Sequence, residues 1–334
     1  MSGRVLLIRF SSLGDVILTE PVIRGLRRED PGIETVLLTR KLFAPLFSAH
    51  PDLQSVWTLE ESPRLANLRK RVGEGGFERV VDLHGSLRSR AITFGAGVPT
   101  TRTRSFRIRR LLLTARRPFK RRLPVPPVVD RHLAAAGMLP ESGVKRWPAL
   151  RLPEEVLREG AGRVKELRGS RRGVVALIPG ARHAPKRWPL PGVIELAGLL
   201  DAGGWRPVAI PPPDDLSVGE GLQQAAPRLT LLEDLEDPAL LGGFLAACSG
   251  AVCNDSGPMH LAAAMGTAVV GLFGPTSPEL GFAPLGERAC FLHLGLSCSP
   301  CSRHGSRPCY RDRRYCMEDI PPGRVLEALE GLMA

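Results

Sequence analysis

The chain has 334 residues, 43% of them hydrophobic, with a mean hydropathy of -0.03 and a net charge of +12. That length exceeds one ordinary core and predicts two domains of roughly 150 residues each. No apolar run approaches the ~18 residues of a membrane span, and Met1-Ser-Gly-Arg4 leads straight into an apolar strand without an export signal, so a cytoplasmic protein is expected.

Residues 5–8 read as a buried strand that empties into Ser11-Ser-Leu-Gly-Asp15, followed by a helix over about 16–28. Further strands at 35–38, 55–59 and 79–83 give a βαβ rhythm. That rhythm implies a parallel sheet with ligands at the carboxyl ends of its strands. Asp15 stands at such an end, either as a helix N-cap or as a general base. The helix dipole would keep it ionised, so a role as base relies on proximity and exclusion of water more than on a matched pKa.

Between residues 83 and 129 the chain carries twelve Lys and Arg and no Asp or Glu, which leaves 34 of each sign elsewhere. The whole excess of charge is therefore local and argues for a polyanionic partner at one face. Within it, 102–122 is a basic amphipathic segment with Ile108, Leu111, Leu112, Ala115 and Phe119 at helical spacing. It could lie on an anionic membrane, clamp a phosphorylated acceptor, bind nucleic acid, or form a solvated basic face. The absence of interleaved aromatic residues weakens the nucleic-acid version.

A Pro-flanked junction and a charged helical piece at 154–167 read as a linker over about 150–172. The rhythm then repeats, with strands at 173–178, 206–210, 229–231, 251–254 and 268–273 and a helix over 190–202. The first of these strands ends in Ile178-Pro-Gly-Ala-Arg-His-Ala-Pro-Lys-Arg-Trp188, where Lys186 and Arg187 suit a phosphate and Trp188 packs the loop. Neither a Walker-type Gly-Lys-Ser/Thr nor Gly-x-Gly-x-x-Gly is present, which argues against a P-loop ATPase or a nicotinamide enzyme. In Ala251-Val-Cys-Asn-Asp-Ser-Gly-Pro-Met-His260 a strand opens into a helix start. Such a start seats an anion on free N–H groups, or is simply capped by Asp255 or Ser256. Gly257 allows close approach to the main chain and Pro258 fits the first turn. Cys298-x-x-Cys301, Cys309 and Cys316 could hold structural zinc or an iron–sulfur cluster, or be free or redox-active thiols, while Cys248, Cys253 and Cys290 look like core residues. A short helix over about 322–333 ends the chain.

Five motifs in this order, Ser11-Ser-Leu-Gly-Asp15, Val81-Asp-Leu-His-Gly-Ser-Leu-Arg-Ser89, Pro179-Gly-Ala-Arg with Lys186-Arg-Trp188, Asn254-Asp-Ser-Gly-Pro-Met-His260 and Gly271-Leu-Phe-Gly-Pro-Thr-Ser-Pro-Glu279, resemble glycosyltransferase family 9, the ADP-heptose:lipopolysaccharide heptosyltransferases. The resemblance implies an α/β GT-B fold of two Rossmann-like domains facing across a cleft. An acceptor domain would span 1–155, a linker 156–172, a nucleotide-sugar domain 173–310, and a tail 311–334 whose helix crosses back to the first domain. It further implies inverting transfer of heptose from ADP-heptose, as donor substrate, to the lipopolysaccharide inner core, with no cofactor and no catalytic metal.

By the same resemblance Asp15 is the base, and Ser12 and Gly14 belong to the loop the acceptor approaches. Lys186 binds the donor phosphates, and Asp255, Ser256, Gly257 and His260 hold ADP and the sugar. Asp82, His84, Gly85, Ser86 and Arg88 line the acceptor side. Arg109, Arg110, Arg116 and Arg117 would dock an anionic lipid A–core acceptor, with peripheral contact at the inner membrane and no nucleic acid. The loop Ile210-Pro-Pro-Pro-Asp-Asp215 departs from the Gly-rich turn that the family often has, which leaves nucleoside recognition open. Two other readings stay in view: a GT-B transferase with a different nucleotide-sugar or acceptor, and a non-catalytic module that binds anionic membrane or nucleic acid.

Overall fold

The computed structural model describes residues 3–61, 64–116, 119–121, 123–138, 143–213 and 215–334. They form two compact units, one of Met1–Ser105 with Val128–Pro153, the other of Phe106–Pro127 with Glu154–Ala334. In chain order the first unit contains β1 (Arg4–Ile8), α1 (Leu13–Ile17), α2 (Glu20–Glu29), β2 (Glu34–Thr39), β3 (Ser55–Thr58), α3 (Leu65–Gly73), β4 (Arg79–Asp82), α4 (Leu87–Thr93) and β5 (Thr100–Arg102). The chain then enters the second unit for α5 (Arg107–Leu113) and returns for α6 (Val128–Ala135).

Among the described residues the first sheet is parallel, in the order β3-β2-β1-β4-β5. After Arg4 its central strand is the continuous apolar run Val-Leu-Leu-Ile, because helices cover both faces of such a sheet. The helix expected over 16–28 is split. Pro21 enters at the start of α2, where it lacks an N–H and its ring would meet the carbonyl of Ile17 in an unbroken helix, so the chain turns at Leu18 and Thr19.

The second unit begins with α7 (Glu154–Arg168), β6 (Val174–Ile178), α8 (Leu190–Ala202), β7 (Arg206–Ala209), α9 (Leu216–Ala225) and β8 (Thr230–Leu231). It continues through α10 (Pro238–Ala247), β9 (Gly250–Asn254), α11 (Gly257–Ala264), β10 (Ala268–Phe273), β11 (Ala289–His293), α12 (Tyr315–Glu318) and α13 (Pro322–Met333). The second sheet is also parallel, ordered β11-β10-β9-β6-β7-β8. Both sheets thus reverse direction beside their first strand, between β1 and β4 and between β6 and β9. In open parallel sheets the crevice beyond the strand ends at such a reversal is where ligands bind.

Three expectations about organisation change. The basic segment groups with the second unit, not the first. The presumed linker is helix α7, which packs on α10 so closely that small residues are required: a Cβ on Gly160 would lie 2.2 Å from the Gly243 carbonyl. The last helix, expected to cross back to the first domain, packs on α8, β9 and β10, with Val325 and Leu329 buried in the core beside Leu196, Leu200 and Val270. Arg117 and Asp214 lie outside the described residues. Among the described residues no helix is long and apolar enough to cross a membrane.

Two glycines of α7 should behave oppositely. Gly160→Leu meets the α10 backbone and should cost about 1–3 kcal/mol or more. Gly162→Ala, with open space around the new methyl, should stabilise by roughly 0.5–1 kcal/mol. Thermal unfolding of the two variants checks both signs.

Candidate functional site

At the β1/β4 reversal, Ser12 is the N-cap of α1 and Asp15 its third helical residue. The Asp15 carboxylate accepts from the Ser12 hydroxyl at 2.7 Å and the Ser12 N–H at 3.2 Å through one oxygen. Its other oxygen pairs with the Arg9 guanidinium at 2.6 Å. Arg9 also donates to the Leu83 carbonyl, so one side chain ties the loop after β1 to the loop after β4. The cap reading of Asp15 is therefore only partly right: Ser12 is the cap and Asp15 reaches back to it, as in a capping box.

Burial works against ionisation of Asp15, but Arg9 and the Ser12 hydroxyl outweigh it and hold the carboxyl below its ordinary range. Behind it, His132 of α6 is 1% exposed, and its Nδ1 lies 3.1 Å from the Leu18 carbonyl. A carbonyl can only accept, so Nδ1 carries the proton and Nε2 is left as the acceptor. Burial, reinforced by the Arg9 charge, pushes the His132 pKa down to about 3, so the ring is neutral at pH 7.

The loop after β4 is organised by Asp82, which is fully buried. One carboxylate oxygen accepts from the N–H groups of His84 (3.0 Å) and Gly85 (2.8 Å), and the other from the Ser89 hydroxyl (2.9 Å), with Arg102 3.3 Å away. Asp82 thus shapes the turn from beneath and, with no exposed surface, does not line the crevice as expected. Gly85 takes φ +65°, the left-handed region that suits glycine. Ser86 caps α4 by accepting from the Ser89 N–H. A cavity of about 880 Å³ opens over these loops, lined by Phe10, Ser11, Arg40, His84, Ser86 and Arg88 among others. Phe10, Arg40 and His84 follow β1, β2 and β4, so its walls are the carboxyl ends of the strands. The His84 ring packs on Phe10, its Nδ1 is buried without a hydrogen-bond partner among the described residues, and its pKa is lowered by burial and then by Arg9.

At the β6/β9 reversal, Asn254 is the last residue of β9 and is 1% exposed. Its amide nitrogen donates to the Pro179 carbonyl at 2.6 Å and its oxygen accepts from the Trp188 N–H at 3.0 Å, which fixes both ends of the loop after β6. Trp188 itself is buried and packs, as expected. Lys186 Nζ pairs with Asp255 at 2.9 Å, and the Thr276 hydroxyl donates to the same carboxylate oxygen at 2.6 Å. Ser256 is the N-cap of α11 and Pro258 sits in its first turn. The first-turn N–H groups of a helix have no intrahelical acceptor, and the Ser256 hydroxyl is buried without a partner among the described residues. Gly257 opens the helix at this seat, and His260 is buried one turn on.

Arg187 differs from its neighbour. Its Nε donates to the Ala181 carbonyl at 3.0 Å and its guanidinium pairs with Asp215, so it braces the loop after β6 against the Pro-rich loop after β7. The Ser217 hydroxyl and then Arg187 hold the Asp215 carboxyl below its usual range.

On the basic segment, Arg116 stacks over Tyr310 at 4.5 Å and Arg109 over Phe106 at 5.3 Å, both exposed, whereas Arg110 turns toward the Phe282 ring at 5.7 Å. All seven cysteines are free thiols. Burial raises Cys301, and burial followed by the neighbouring thiols pushes Cys316 up to about 12. Among the described residues no group of three or more His, Cys, Asp or Glu side chains is placed to hold a metal ion.

The structure gathers Ser12, Gly14, Asp15, Asp82, His84, Gly85 and Arg88 at one reversal, and Lys186, Asp255, Ser256, Gly257 and His260 at the other. The family model of glycosyltransferase family 9 (heptosyltransferase) matches residues 65–310, most of the chain. The chain belongs to that family. As a family 9 enzyme it is a heptosyltransferase, an α/β protein of GT-B type with two Rossmann-like units. It is 27% identical over 354 residues to lipopolysaccharide heptosyltransferase 2 of Escherichia coli, covering 99% of this chain and 98% of the relative. It is 28% identical over 366 residues to lipopolysaccharide heptosyltransferase 1 of Pseudomonas aeruginosa, with 99% and 98% covered. The solved structure of E. coli ADP-heptose lipopolysaccharide heptosyltransferase II matches at TM-score 0.77 and 25% identity, covering 99% of this chain and 98% of that one. A family 9 glycosyltransferase from Veillonella parvula matches in fold at TM-score 0.78 and 18% identity, with 100% and 98% covered.

Sequence motifs found the loops of this family 9 site, Thr276 included though without a role, but missed Arg9, Arg40 and His132. Two outcomes follow for the Asp15 cluster. Arg9→Met should raise the Asp15 pKa and move the acid limb of the pH–activity profile upward; an unmoved limb rules out Arg9 as its cause. In the unfolded chain the imidazole titrates near 6.5, so as pH falls the unfolded state takes up the proton before His132 does. The stability this contributes is whole above about pH 6.5 and is lost progressively toward pH 3, in the same direction as that of Asp15. Urea unfolding at pH 7 and pH 4 should show a loss of a few kcal/mol that is visibly smaller in His132→Gln.

Proposed function

We propose that the chain moves heptose from ADP-heptose to a hydroxyl of the lipopolysaccharide inner core in one inverting displacement that needs no metal. The observation that carries this reading is the Lys186–Asp255 pair at the N-terminus of α11, in a chain whose full length aligns with lipopolysaccharide heptosyltransferases. The acceptor oxygen attacks the anomeric carbon as the bond to the ADP oxygen breaks, and the acceptor's proton passes to the Asp15 carboxylate. Attack on the face opposite the leaving group inverts the anomeric centre. Charge develops on the departing diphosphate, where Lys186 exchanges Asp255 for phosphate oxygens while the Ser256 hydroxyl and the first N–H groups of α11 donate to them. Those fixed donors take the role a magnesium ion plays in other transferases. Arg88, together with Arg40 beside its partner Glu60 at 3.6 Å, leaves net positive charge at the crevice over β1, β2 and β4, which suits an anionic acceptor.

A lipid-linked acceptor is met at the cytoplasmic face of a membrane, and the basic segment suits that surface. Ile108, Leu111, Phe119 and Leu123 are 75%, 49%, 71% and 41% exposed, interleaved with exposed Arg107, Arg109, Arg116 and Arg121. Apolar side chains among arginines match lipid headgroups better than nucleic-acid phosphates, which offer them nothing to enter. The docking set differs from the sequence expectation, because Arg110 faces Phe282.

Purified protein given ADP-heptose and a truncated-core lipid A acceptor should yield a product one heptose heavier, unaffected by EDTA. GDP- and UDP-sugars should give none. Asp15→Asn should lower kcat by about 10²–10⁴; an Asn variant as active as the parent would remove Asp15 from the chemistry. For the membrane contact, joint replacement of Arg107, Arg109, Arg116 and Arg121 by Gln should reduce sedimentation with phosphatidylglycerol vesicles at least about tenfold and leave ADP affinity intact. Equal sedimentation of parent and variant rules that surface out.

A further inference from the structure

The segment from Ser299 to Glu318, which includes Cys301, Cys309 and Cys316, has no part in the chemistry above, yet it touches Lys186 and braces the loop whose Thr276 holds Asp255. Gly305 takes φ +75° and lies against the lysine stem: a Cβ there would stand 2.2 Å from Lys186 Cγ and 2.3 Å from Cδ. Arg314 donates to the carbonyls of Ala184 (2.9 Å) and Arg187 (3.3 Å), which bracket Lys186 on its short 3-10 turn. Arg314 is held in turn by Glu318, which accepts its backbone N–H at 3.1 Å and lies 3.5 Å from its Nε.

The same segment fixes the loop that carries Thr276. The Ser299 hydroxyl donates to the Gly274 carbonyl at 2.5 Å, and the N–H groups of Cys301 and Ser302 both reach the Pro275 carbonyl at 3.0 Å. Met317 is fully buried, and its sulfur occupies the space that a Cβ on Gly274 would take. Thr276 then holds Asp255. Lysine is a flexible point charge, and its long stem has to be ordered before it can meet a phosphate at a fixed distance. Here the stem, the turn beneath it and its counter-charge are all set by one stretch near the carboxyl terminus.

We propose that residues 299–318 are a clamp that presets Lys186 for the diphosphate of a nucleotide-sugar, with Gly305 and Arg314 as positioning residues. The inference rests on the reading of Lys186 as the donor-phosphate lysine. It makes this segment part of donor recognition by way of Lys186.

A double-mutant cycle read by calorimetric titration with ADP tests it. Lys186→Ala should weaken ADP at least tenfold. Gly305→Ala should weaken it about tenfold when Lys186 is present and less than twofold in the Lys186→Ala protein, where Cγ and Cδ are gone. Backbone strain from alanine at φ +75° is common to both backgrounds and cancels in the cycle. Arg314→Met gives a second cycle with the same expectation should Gly305→Ala fold poorly, and Arg314→Lys should recover part of the loss. In steady state each variant should raise KM for the donor far more than KM for the acceptor. Equal losses in both backgrounds, or none in either, overturn the clamp and leave Lys186 as the donor lysine. No loss in Lys186→Ala overturns the donor-lysine reading and the clamp with it.

Discussion

Each parallel sheet ends in a bundle of loops whose backbone groups need partners, and in each unit one buried polar side chain at the last position of a strand ties down the loop at the reversal. Asp82 closes β4 and accepts from two N–H groups and a hydroxyl. Asn254 closes β9, donates to a carbonyl and accepts an N–H from the far end of the loop after β6. Leaving such a group unpaired costs about 1–3 kcal/mol, so these bonds set the loops' paths as firmly as core packing does. The difference in chemistry is instructive. An acceptor-only carboxylate suits a turn that presents N–H groups, whereas an amide suits a loop that presents one of each.

On that frame the charges of the proposed site are stored in pairs. Asp15 rests against Arg9, and Lys186 against Asp255. Neither pair is worth much as stability, since desolvation offsets most of the attraction in partly buried sites. Their value is positional: each charge is already dehydrated and aimed before a ligand arrives. The cost appears in base strength, because a carboxylate held by a guanidinium and a hydroxyl has little appetite for a proton. In the displacement proposed above, proton transfer to Asp15 would then be coupled to bond formation at the acceptor oxygen, when that oxygen becomes acidic enough to release it.

The strands were legible because parallel strands are continuous apolar runs. The expected 5–8, 35–38, 173–178 and 268–273 lie within one residue of β1, β2, β6 and β10 at each end. The loops of the site were legible because strand ends there give way to Gly, Ser, Asp and Pro. Partners were not. His132 lies behind Asp15 by way of α6, more than a hundred residues on, and nothing local distinguishes it from any helical histidine. Arg187 and Lys186 are adjacent and chemically alike, yet one is tied to Asp215 and the other faces Asp255. Asp82 stood in the right motif for ligand contact, and only its complete burial shows that it works from below. The crossing near 153 lies two residues from the expected boundary at 155, but the excursion was hidden because composition marks linkers, and the polypeptide first leaves the first unit inside a basic stretch that has no Pro or Gly at the crossing itself.

The excursion Phe106–Pro127 means that the polypeptide passes between its two units three times, near residues 105, 127 and 153. A chain with a single crossing can exchange halves with a relative by one genetic recombination event, each half arriving whole. Here a break at 153 would carry Phe106–Pro127 away with the wrong body and strip Lys120 from the Ser299 and Pro300 carbonyls it grips at 2.7 and 3.0 Å. Inheritance of the two units is thereby linked. New specificities on this scaffold have to arise by substitution within loops, since swapping whole modules would break the stitch.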